Sequence, residues 1–435
     1  MHIAFFNRSY FPDETATGQL LTDLCEDLVR VHGCRVSVVT GWPKIDVGCQ
    51  LGADTPQRLL IDTRRRFLPT FLLFARQERH GVQIYRARGT HFEKRRFAGR
   101  ACNYVTYFCS ACWAGLRLDR PDVVVALTDP PIIGLAAWLS GRRFGAPLVM
   151  AFKDLFPEVA ALLPDFHSDT INNALQRVNR FLVRRAAMNV ALGETMRQRL
   201  IEDKGAPPDR TTIIADWADT TAIAPGPRQN AFSRAHGLDG KFVVMHSGNL
   251  GFSQSLETVV EAAALLRDLP DLQIVFQGDG AKKEALQQQV RDLGLANVSF
   301  LPFQPREGLS ASFATADLFI VSLQTGLAGY IVPSKLYGIL AAGRPYVAAV
   351  DPDCEVAALT LRHDCGALAR PGDAASLAGQ IRMFYRDRTR AARCGRQARA
   401  LSASFDRRQQ VAAYRRVFES VTRPATSGAP AVAAS

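Results

Sequence analysis

A chain of 435 residues with 47% apolar and 22% charged side chains is long enough for two hydrophobic cores, and that composition excludes global disorder. Its net charge of +12 calls for an anionic partner: a nucleotide, lipid headgroups or nucleic acid. No run approaches the roughly 20 apolar residues that cross a bilayer. The opening Met1-His2-Ile3-Ala4-Phe5-Phe6 lacks the cationic lead and length of a signal peptide, so a cytoplasmic chain is expected.

His2 to Phe6 reads as a buried strand. After the loop 7–17 come a helix from Gly18 to Val31, with Leu20, Leu21, Leu24 and Leu28 at helical spacing, and a strand from Arg35 to Thr40, which together form a βαβ unit. Between Asp62 and Arg100, eleven Arg or Lys stand against three Asp or Glu, interleaved with Phe67, Phe71, Phe74, Phe92 and Phe97. This basic, irregular middle suits an anionic membrane surface, and region 62–118 is expected to associate with one; a solvated basic face is the plain alternative. With no zinc-finger spacing and no RNA-recognition aromatic signature, nucleic acid is the weaker partner. Tyr104 to Leu116 reads as an apolar helix. Its Cys109 and Cys112 lack a second ligand pair nearby, so these two of the nine cysteines read as reduced, packed thiols rather than a metal or redox site.

Strands at Asp122 to Leu127, Pro147 to Phe152, Asn189 to Leu192 and Thr211 to Ala215 then alternate with helices at Ile132 to Ser140, Ile171 to Ala187 and Glu194 to Asp203. The pattern breaks from Asp216 to Gly240 around Pro225, Gly226 and Pro227, as an interdomain connection does. A second series has strands at Phe242 to His246, Leu272 to Gln277, Val298 to Leu301, Leu318 to Ser322 and Tyr346 to Val350. Its helices fall at Gln254 to Arg267, Ala281 to Leu293, Arg306 to Ala314 and Ser334 to Ala342. The expected class is α/β, with one doubly wound domain over 1–220 and another over 221–405. A helix over 406–421 is expected to return to the first domain, and the Ala-, Pro- and Ser-rich tail 422–435 to be disordered.

Open parallel sheets bind ligands beyond the carboxyl ends of their strands, so two facing sheets make one cleft. In the second domain Ser247-Gly248-Asn249-Leu250-Gly251 and Gly278-Asp279-Gly280 each follow a strand, where glycine lets the backbone approach a phosphate. A tight turn is the plain reading of either alone; together, on consecutive strands, they point to a phosphate-bearing ligand. In the segment Gly326 to Pro345, Ser334 can cap a helix whose first residue is Lys335, a cation at an end that favours anions. A bound diphosphate resolves that conflict, and a solvated lysine is the alternative.

These motifs, with Pro-Ser-Lys-Leu-Tyr at 333–337, resemble the family 4 retaining glycosyltransferases, and in particular their colanic acid and O-antigen branch. The first half agrees through Tyr10-Phe-Pro, Ala16-Thr17-Gly18, Asp154-Leu-Phe-Pro-Glu158 and Asp216-Trp217-Ala218-Asp219. The resemblance spans about residues 1–420. It implies a GT-B fold of two Rossmann-like domains, a UDP- or GDP-linked sugar as donor on the second, and a lipid-linked or saccharide acceptor on the first. It further implies front-face transfer with no metal or other cofactor, in exopolysaccharide or O-antigen synthesis at the inner face of the cytoplasmic membrane. By residue, the resemblance places Gly248, Asn249, Gln254, Gly278, Gly280, Phe303, Arg306, Tyr330, Ser334 and Lys335 around the donor. Lys153 and Asp154 line the sugar site as catalytic residues, and Thr17 and Gly18 meet the acceptor.

Asn249 and Gln254 stand where much of the family carries arginine and lysine, so positive charge is expected from Lys335 first, then Arg306 or Arg344. The family's paired glutamates align near Tyr330 and Gly338 and are absent, which makes Glu355 the substitute for holding the ribose. A histidine common before the first-domain aspartate is Lys153 here. Two alternatives stay open: a sugar-nucleotide epimerase of the same fold, which would need acidic catalytic residues, and, motivated by the absent glutamates, a non-catalytic, membrane-recruited scaffold that binds nucleotide sugars.

Overall fold

The structure, a computed structural model, describes residues 1–13, 15–42, 74–90, 92, 97–162 and 168–422. The first domain opens with β1 (His2–Phe6), α1 (Ala16–Arg30), β2 (Arg35–Gly41), β3 (Phe74–Arg79), β4 (Val82–Ala87), α2 (Phe97–Gly115) and β5 (Val123–Ala126). It continues with α3 (Ile133–Phe144), β6 (Leu148–Ala151), α4 (Asp169–Arg185), β7 (Met188–Ala191), α5 (Glu194–Glu202) and β8 (Thr211–Ile213). Its strands lie in the order β3-β4-β2-β1-β5-β6-β7-β8, all parallel except β3, which runs antiparallel to β4.

After α6 (Ala231–Ala235) the second domain contains β9 (Phe242–Ser247), α7 (Glu257–Ala264), β10 (Leu272–Gln277), α8 (Lys283–Asp292), β11 (Val298–Leu301) and α9 (Arg306–Thr315). Next come β12 (Leu318–Ser322), α10 (Lys335–Ala341), β13 (Tyr346–Ala349), α11 (Glu355–His363), β14 (Gly366–Ala369), α12 (Ala374–Arg386), α13 (Arg388–Ser402) and α14 (Arg407–Thr422). This sheet has the order β11-β10-β9-β12-β13-β14 and is parallel throughout.

Both sheets are covered on two faces, which is why their strands read as unbroken apolar runs. Alternate residues of β1 serve different cores: Ile3 and Phe5 pack with α1, Ala4 and Phe6 with α2 and α3, and all four are fully buried. Complete burial of a side chain such as Phe5 is worth about 2–3 kcal/mol relative to exposure. The last helix belongs to the first of these cores. Phe418 meets Phe5 edge-on at 5.9 Å and Tyr414 meets Trp217 at 6.2 Å, so α14, reached through the second domain, packs on the first sheet.

The irregular middle expected from the sequence is, where described, a hairpin that extends the first sheet. His80 and Gly81 take φ of 47° and 79° at the turn between β3 and β4, the positive values that a tight hairpin demands. Arginines hide the alternation: β4 carries Arg86 at 1% exposure, donating to Phe11 O, Gly41 O and Gln77 Oε1. Burial pushes that guanidinium down to about 10. The small strand β14 also escapes the sequence pattern. Residues 62–73, 91 and 93–96 of the basic region, and the tail from 423 onward, lie outside the described residues. No described helix is long and apolar enough to cross a membrane.

Between the domains, Arg306 at the start of α9 grips Asp23 of α1 through two bonds of 2.9 and 2.6 Å. Arg407 of α14 holds the same carboxylate at 3.0 Å and Asp27 at 2.6 Å. Arg306→Ala is expected to cost about 1 kcal/mol or less, because Arg306 is half exposed and Arg407 remains to neutralise Asp23. The larger effect is expected on domain closure, seen as an increased radius of gyration in small-angle scattering of the free protein; an unchanged radius would remove the pair from closure.

Candidate functional site

The carboxyl ends of the two sheets face each other, and backbone pairing of Asp154 with Ile331 bridges them, with Leu155 N donating to Tyr330 O at 2.8 Å. On the second-domain side, the loops after β9 and β10 brace one another. Gly248 N donates to Gln277 O at 2.9 Å, Leu250 N to Asp279 O at 2.8 Å, and Gly280 N to the Asp279 carboxylate at 2.8 Å. Gly278 N is taken by Leu301 O. The N–H groups expected to grip phosphate at Gly248, Gly278 and Gly280 are thus already donated; these glycines instead let the two loops stack. Gly278 has φ 149°, and a Cβ there would lie 1.9 Å from Gly248 O and 3.4 Å from the Phe303 ring. A Cβ at Gly280 would lie 2.5 Å from Leu250 O and 2.6 Å from Asn249 Oδ1.

Lys335 leans over this pair of loops, its Nζ 3.0 Å from Nε2 of the fully buried His246 and 3.6 Å from where a Gly248 Cβ would stand. Only partly accessible to solvent, its amino group is pushed by burial down to about 7. No carboxylate among the described residues pairs with it. Burial and the neighbouring lysine hold His246 well below the usual histidine range, so the ring is neutral. When Lys335 is protonated it donates to Nε2, which leaves the ring proton on Nδ1. The His246 ring also faces the Asn249 backbone and the Gln254 side chain, and Ser322 Oγ, at the end of β12, is buried without a hydrogen-bond partner. A desolvated cation whose polar partner is a neutral ring rather than a carboxylate is costly, and a polar anionic ligand offsets that cost.

Ser334 does not cap α10. Its φ and ψ of −59° and −24° are already helical and its side chain makes no capping bond, because the chain enters through a tight turn in which Leu336 N donates to Pro333 O.

On the first-domain side, Lys153 is buried and donates to Asp216 at 2.5 Å. Desolvation opposes its charge, but Asp216 outweighs it and holds the ammonium above the ordinary lysine value. Lys153 therefore serves Asp216 rather than presenting a free cation. Asp154 is pushed up to about 7 by burial and by the neighbouring charges of Asp129 and Asp216, with Lys153 pulling the other way. Thr128 Oγ1 accepts from the Lys153 and Asp154 N–H groups at 3.3 and 3.4 Å, which fixes the strand end that carries both. A carboxyl group near its midpoint at neutral pH is suited to hold or pass a proton, or to accept a sugar hydroxyl.

Glu355 accepts from Glu194 N at 2.9 Å, at the start of α5 across the cleft, and beside it Thr195 Oγ1 donates to Asp353 O at 3.1 Å. Its carboxylate closes the cleft wall here, in contact with the first domain. Tyr330 likewise donates to Asp203 of the first domain at 3.0 Å. Arg306 is committed to Asp23, and Arg344 to Gly226 O and Ala314 O, so neither supplies the free cation expected of them. Thr17 and Gly18 lie in the first turn of α1, where Thr15 Oγ1 accepts from Gly18 N at 3.3 Å.

Two members of this site escaped the sequence reading. Asp216 entered that reading only as the first residue of the Asp216-Trp217-Ala218-Asp219 motif, just beyond β8, without a role, and His246 sits within the apolar run of β9, where a polar side chain in a strand otherwise closed to water is the signal. Among the described residues no group of three or more His, Cys, Asp or Glu is placed to hold a metal ion, Cys109 and Cys112 included.

A family model described as glycosyl transferases group 1 matches residues 228–401, and one described as a glycosyl transferase 4-like domain matches residues 16–217. The chain is 27% identical over 267 residues to a protein of Pseudomonas aeruginosa named as the glycosyltransferase WbjE, an alignment spanning 61% of this chain and 66% of that one. It is 29% identical over 245 residues to WcaI of Escherichia coli K12, named for colanic acid biosynthesis, spanning 52% and 57%. The matched stretch is thus less than two thirds of either relative. Among solved structures, Alr3699/HepE of Anabaena in complex with UDP superposes with a TM-score of 0.70 at 18% identity, over 97% of this chain and 100% of that one. WaaG, a glycosyltransferase involved in lipopolysaccharide biosynthesis, gives 0.66 at 15% identity, over 98% and 100%. At such identities the structures speak for the fold alone. Each family model covers one of the two sheet domains, in order, and the chain belongs to the group 1, family 4 glycosyltransferases of GT-B fold.

Proposed function

We propose that this chain is a retaining glycosyltransferase that moves a sugar from a UDP- or GDP-linked donor to a lipid-linked or saccharide acceptor, in exopolysaccharide or O-antigen synthesis at the cytoplasmic membrane. The observation that carries this reading is Lys335, a walled-in cation beside the stacked glycine loops whose hydrogen-bond partner among the described residues is a neutral histidine. Anion binding restores its charge, and the charge that develops on a leaving diphosphate is what such a fixed donor stabilises most. In the transfer the bond from the anomeric carbon to the diphosphate oxygen breaks, and a bond to the acceptor oxygen forms on the same face. The acceptor's proton passes to the departing diphosphate. Asp154, opposite Ile331 on the far wall, is assigned to the sugar hydroxyls, with Asn249, Gln254 and Glu355 as further donor contacts. Thr17 and Gly18 are assigned to the acceptor. Charge stabilisation falls to Lys335 and fixed dipoles, with no role for a metal. The names of WbjE and WcaI support glycosyl transfer, and the UDP held by the Anabaena protein supports a nucleotide-linked donor.

The test is incubation with radiolabelled UDP- and GDP-sugars and a bacterial membrane extract, followed by lipid extraction. Label in the lipid or saccharide fraction is expected. Interconversion of the free nucleotide sugars would replace this reading with an epimerase, and nucleotide binding without transfer would replace it with a scaffold.

A further inference from the structure

Strand β9 reads Phe-Val-Val-Met-His-Ser, and by alternation Phe242, Val244 and His246 share one of its faces. The first two lie in an apolar core that also holds Phe276, the residue paired with His246 on β10. His246 is 0% exposed, its ring centroid 6.1 Å from that of Phe276. Packing alone would favour an apolar side chain here, because an imidazole is costly to bury unless its nitrogens find partners. What the ring adds is an acceptor, Nε2, set 3.0 Å from Lys335 Nζ.

A lysine that is to meet a diphosphate gains from such a partner. Its ammonium is a point charge with three N–H bonds on a flexible four-carbon stem, and something must fix where the charge stands. A carboxylate would fix it, but would then compete with the ligand's phosphates for the same cation. A neutral imidazole takes one N–H bond and leaves the charge and the other two for an incoming oxyanion. Among the described residues Lys335 is the charged group acting on this ring, and the Asn249 backbone and Gln254 side chain that also face it are neutral. His246 thus joins Lys335, on α10, to the glycine loop that begins at Ser247.

We infer that His246 is a positioning residue for the donor diphosphate: its neutral ring, with the proton on Nδ1, aims the Lys335 ammonium at the ligand and leaves its charge uncompensated. The inference rests on the nucleotide-sugar reading of the cleft for its ligand, though not for the state of the ring. His246 acts through Lys335 and touches no reacting atom.

Calorimetric titration of the full chain with UDP at pH 7.5 tests it through two replacements of the ring. His246→Gln offers an amide oxygen near the place of Nε2, whereas His246→Leu fills the space and accepts nothing. The Gln variant should bind UDP within about threefold of the wild type and the Leu variant about tenfold more weakly, the size of one hydrogen bond to a charged group. In urea the order should reverse, with the Leu variant at least as stable as the wild type. On a Lys335→Met background, His246→Leu should change UDP affinity no further. Equal affinities of the Gln and Leu variants, or a full additional loss on that background, overturns the proposal; a packing role predicts that Leu binds well and Gln poorly. Nitrogen NMR of the histidine-labelled wild type reads the ring without any ligand. At pH 6 His246 should carry a single proton, on Nδ1, and a doubly protonated ring or a proton on Nε2 overturns the proposal equally. A wild type that binds neither UDP nor GDP would count against the nucleotide-sugar reading itself, and the tautomer would still decide whether His246 holds Lys335.

Discussion

Lys335→Met is expected to lower affinity for a UDP- or GDP-sugar by roughly 10- to 100-fold, the size of a lost charge-assisted hydrogen bond, while the free protein becomes more stable. Both effects have one origin. Wild-type Lys335 is pushed from an ordinary value near 10.5 down to about 7, so the fold resists protonation that the unfolded chain accepts. Between about pH 7 and 10.5 the unfolded state holds more protons, hence stability rises with pH across that window and the burden is greatest below it. Methionine fills similar space without the charge, so its stabilising effect should be largest near pH 6, on the order of a few kcal/mol, and fade toward pH 10. Binding follows the opposite proton flow. Because both phosphates of a nucleotide sugar stay ionised, affinity should be flat below pH 7 and fall above it by up to about tenfold per unit, with proton uptake visible in calorimetry at pH 8. Methionine should abolish both the slope and the uptake. Affinity unaltered by the substitution removes Lys335 from the donor site.

Period and punctuation carried most of the alternating strands and helices as far as β13 to within a few residues, because parallel strands buried on both faces leave apolar runs; the β3–β4 hairpin and the elements from α11 to α13 were not read. What they missed is instructive in physical terms. Strand β4 puts a guanidinium where an apolar residue belongs, and Arg86 is tolerated because three carbonyl oxygens surround it. The pattern of polar and apolar residues holds no record of such a bonded interior cation. The glycine loops were legible as loops, since only glycine takes φ near 149° with a carbonyl 1.9 Å from its absent Cβ. Their N–H groups were not, because which donors are spent internally depends on how the two loops stack. Arg306, Tyr330 and Glu355 show the same limit: each lies in a segment at the cleft, but each bonds to a partner in the first domain, more than a hundred residues away in the chain. Sequence spacing locates such side chains on a wall; what faces them is fixed only when the two domains close.

The largest effect on stability is expected from Lys153→Met. Asp216, 3% exposed, would lose its ammonium partner at 2.5 Å, and stranding one half of a buried ion pair typically costs about 3–5 kcal/mol. The damage extends to Asp154, for which Lys153 is the one neighbour pulling its proton affinity down. Without it Asp154 should hold its proton further above pH 7, so any activity left in the variant should shift its pH optimum upward. Adding Asp216→Asn removes the stranded charge, and the double variant should recover most of the loss in urea unfolding at pH 7.5. A purely packing role for Lys153 predicts otherwise: the two substitutions would then add, and the double variant would be the least stable of the set. Asp154→Asn gives the matching control with the opposite sign. The folded carboxyl titrates near 7 against 3.8 for an ordinary aspartate, so the wild type loses stability as pH rises between those values. The amide escapes that loss and should leave the protein more stable above pH 7 yet poorer at transfer, since a site that keeps a carboxyl where it is costly to the fold keeps it for the ligand.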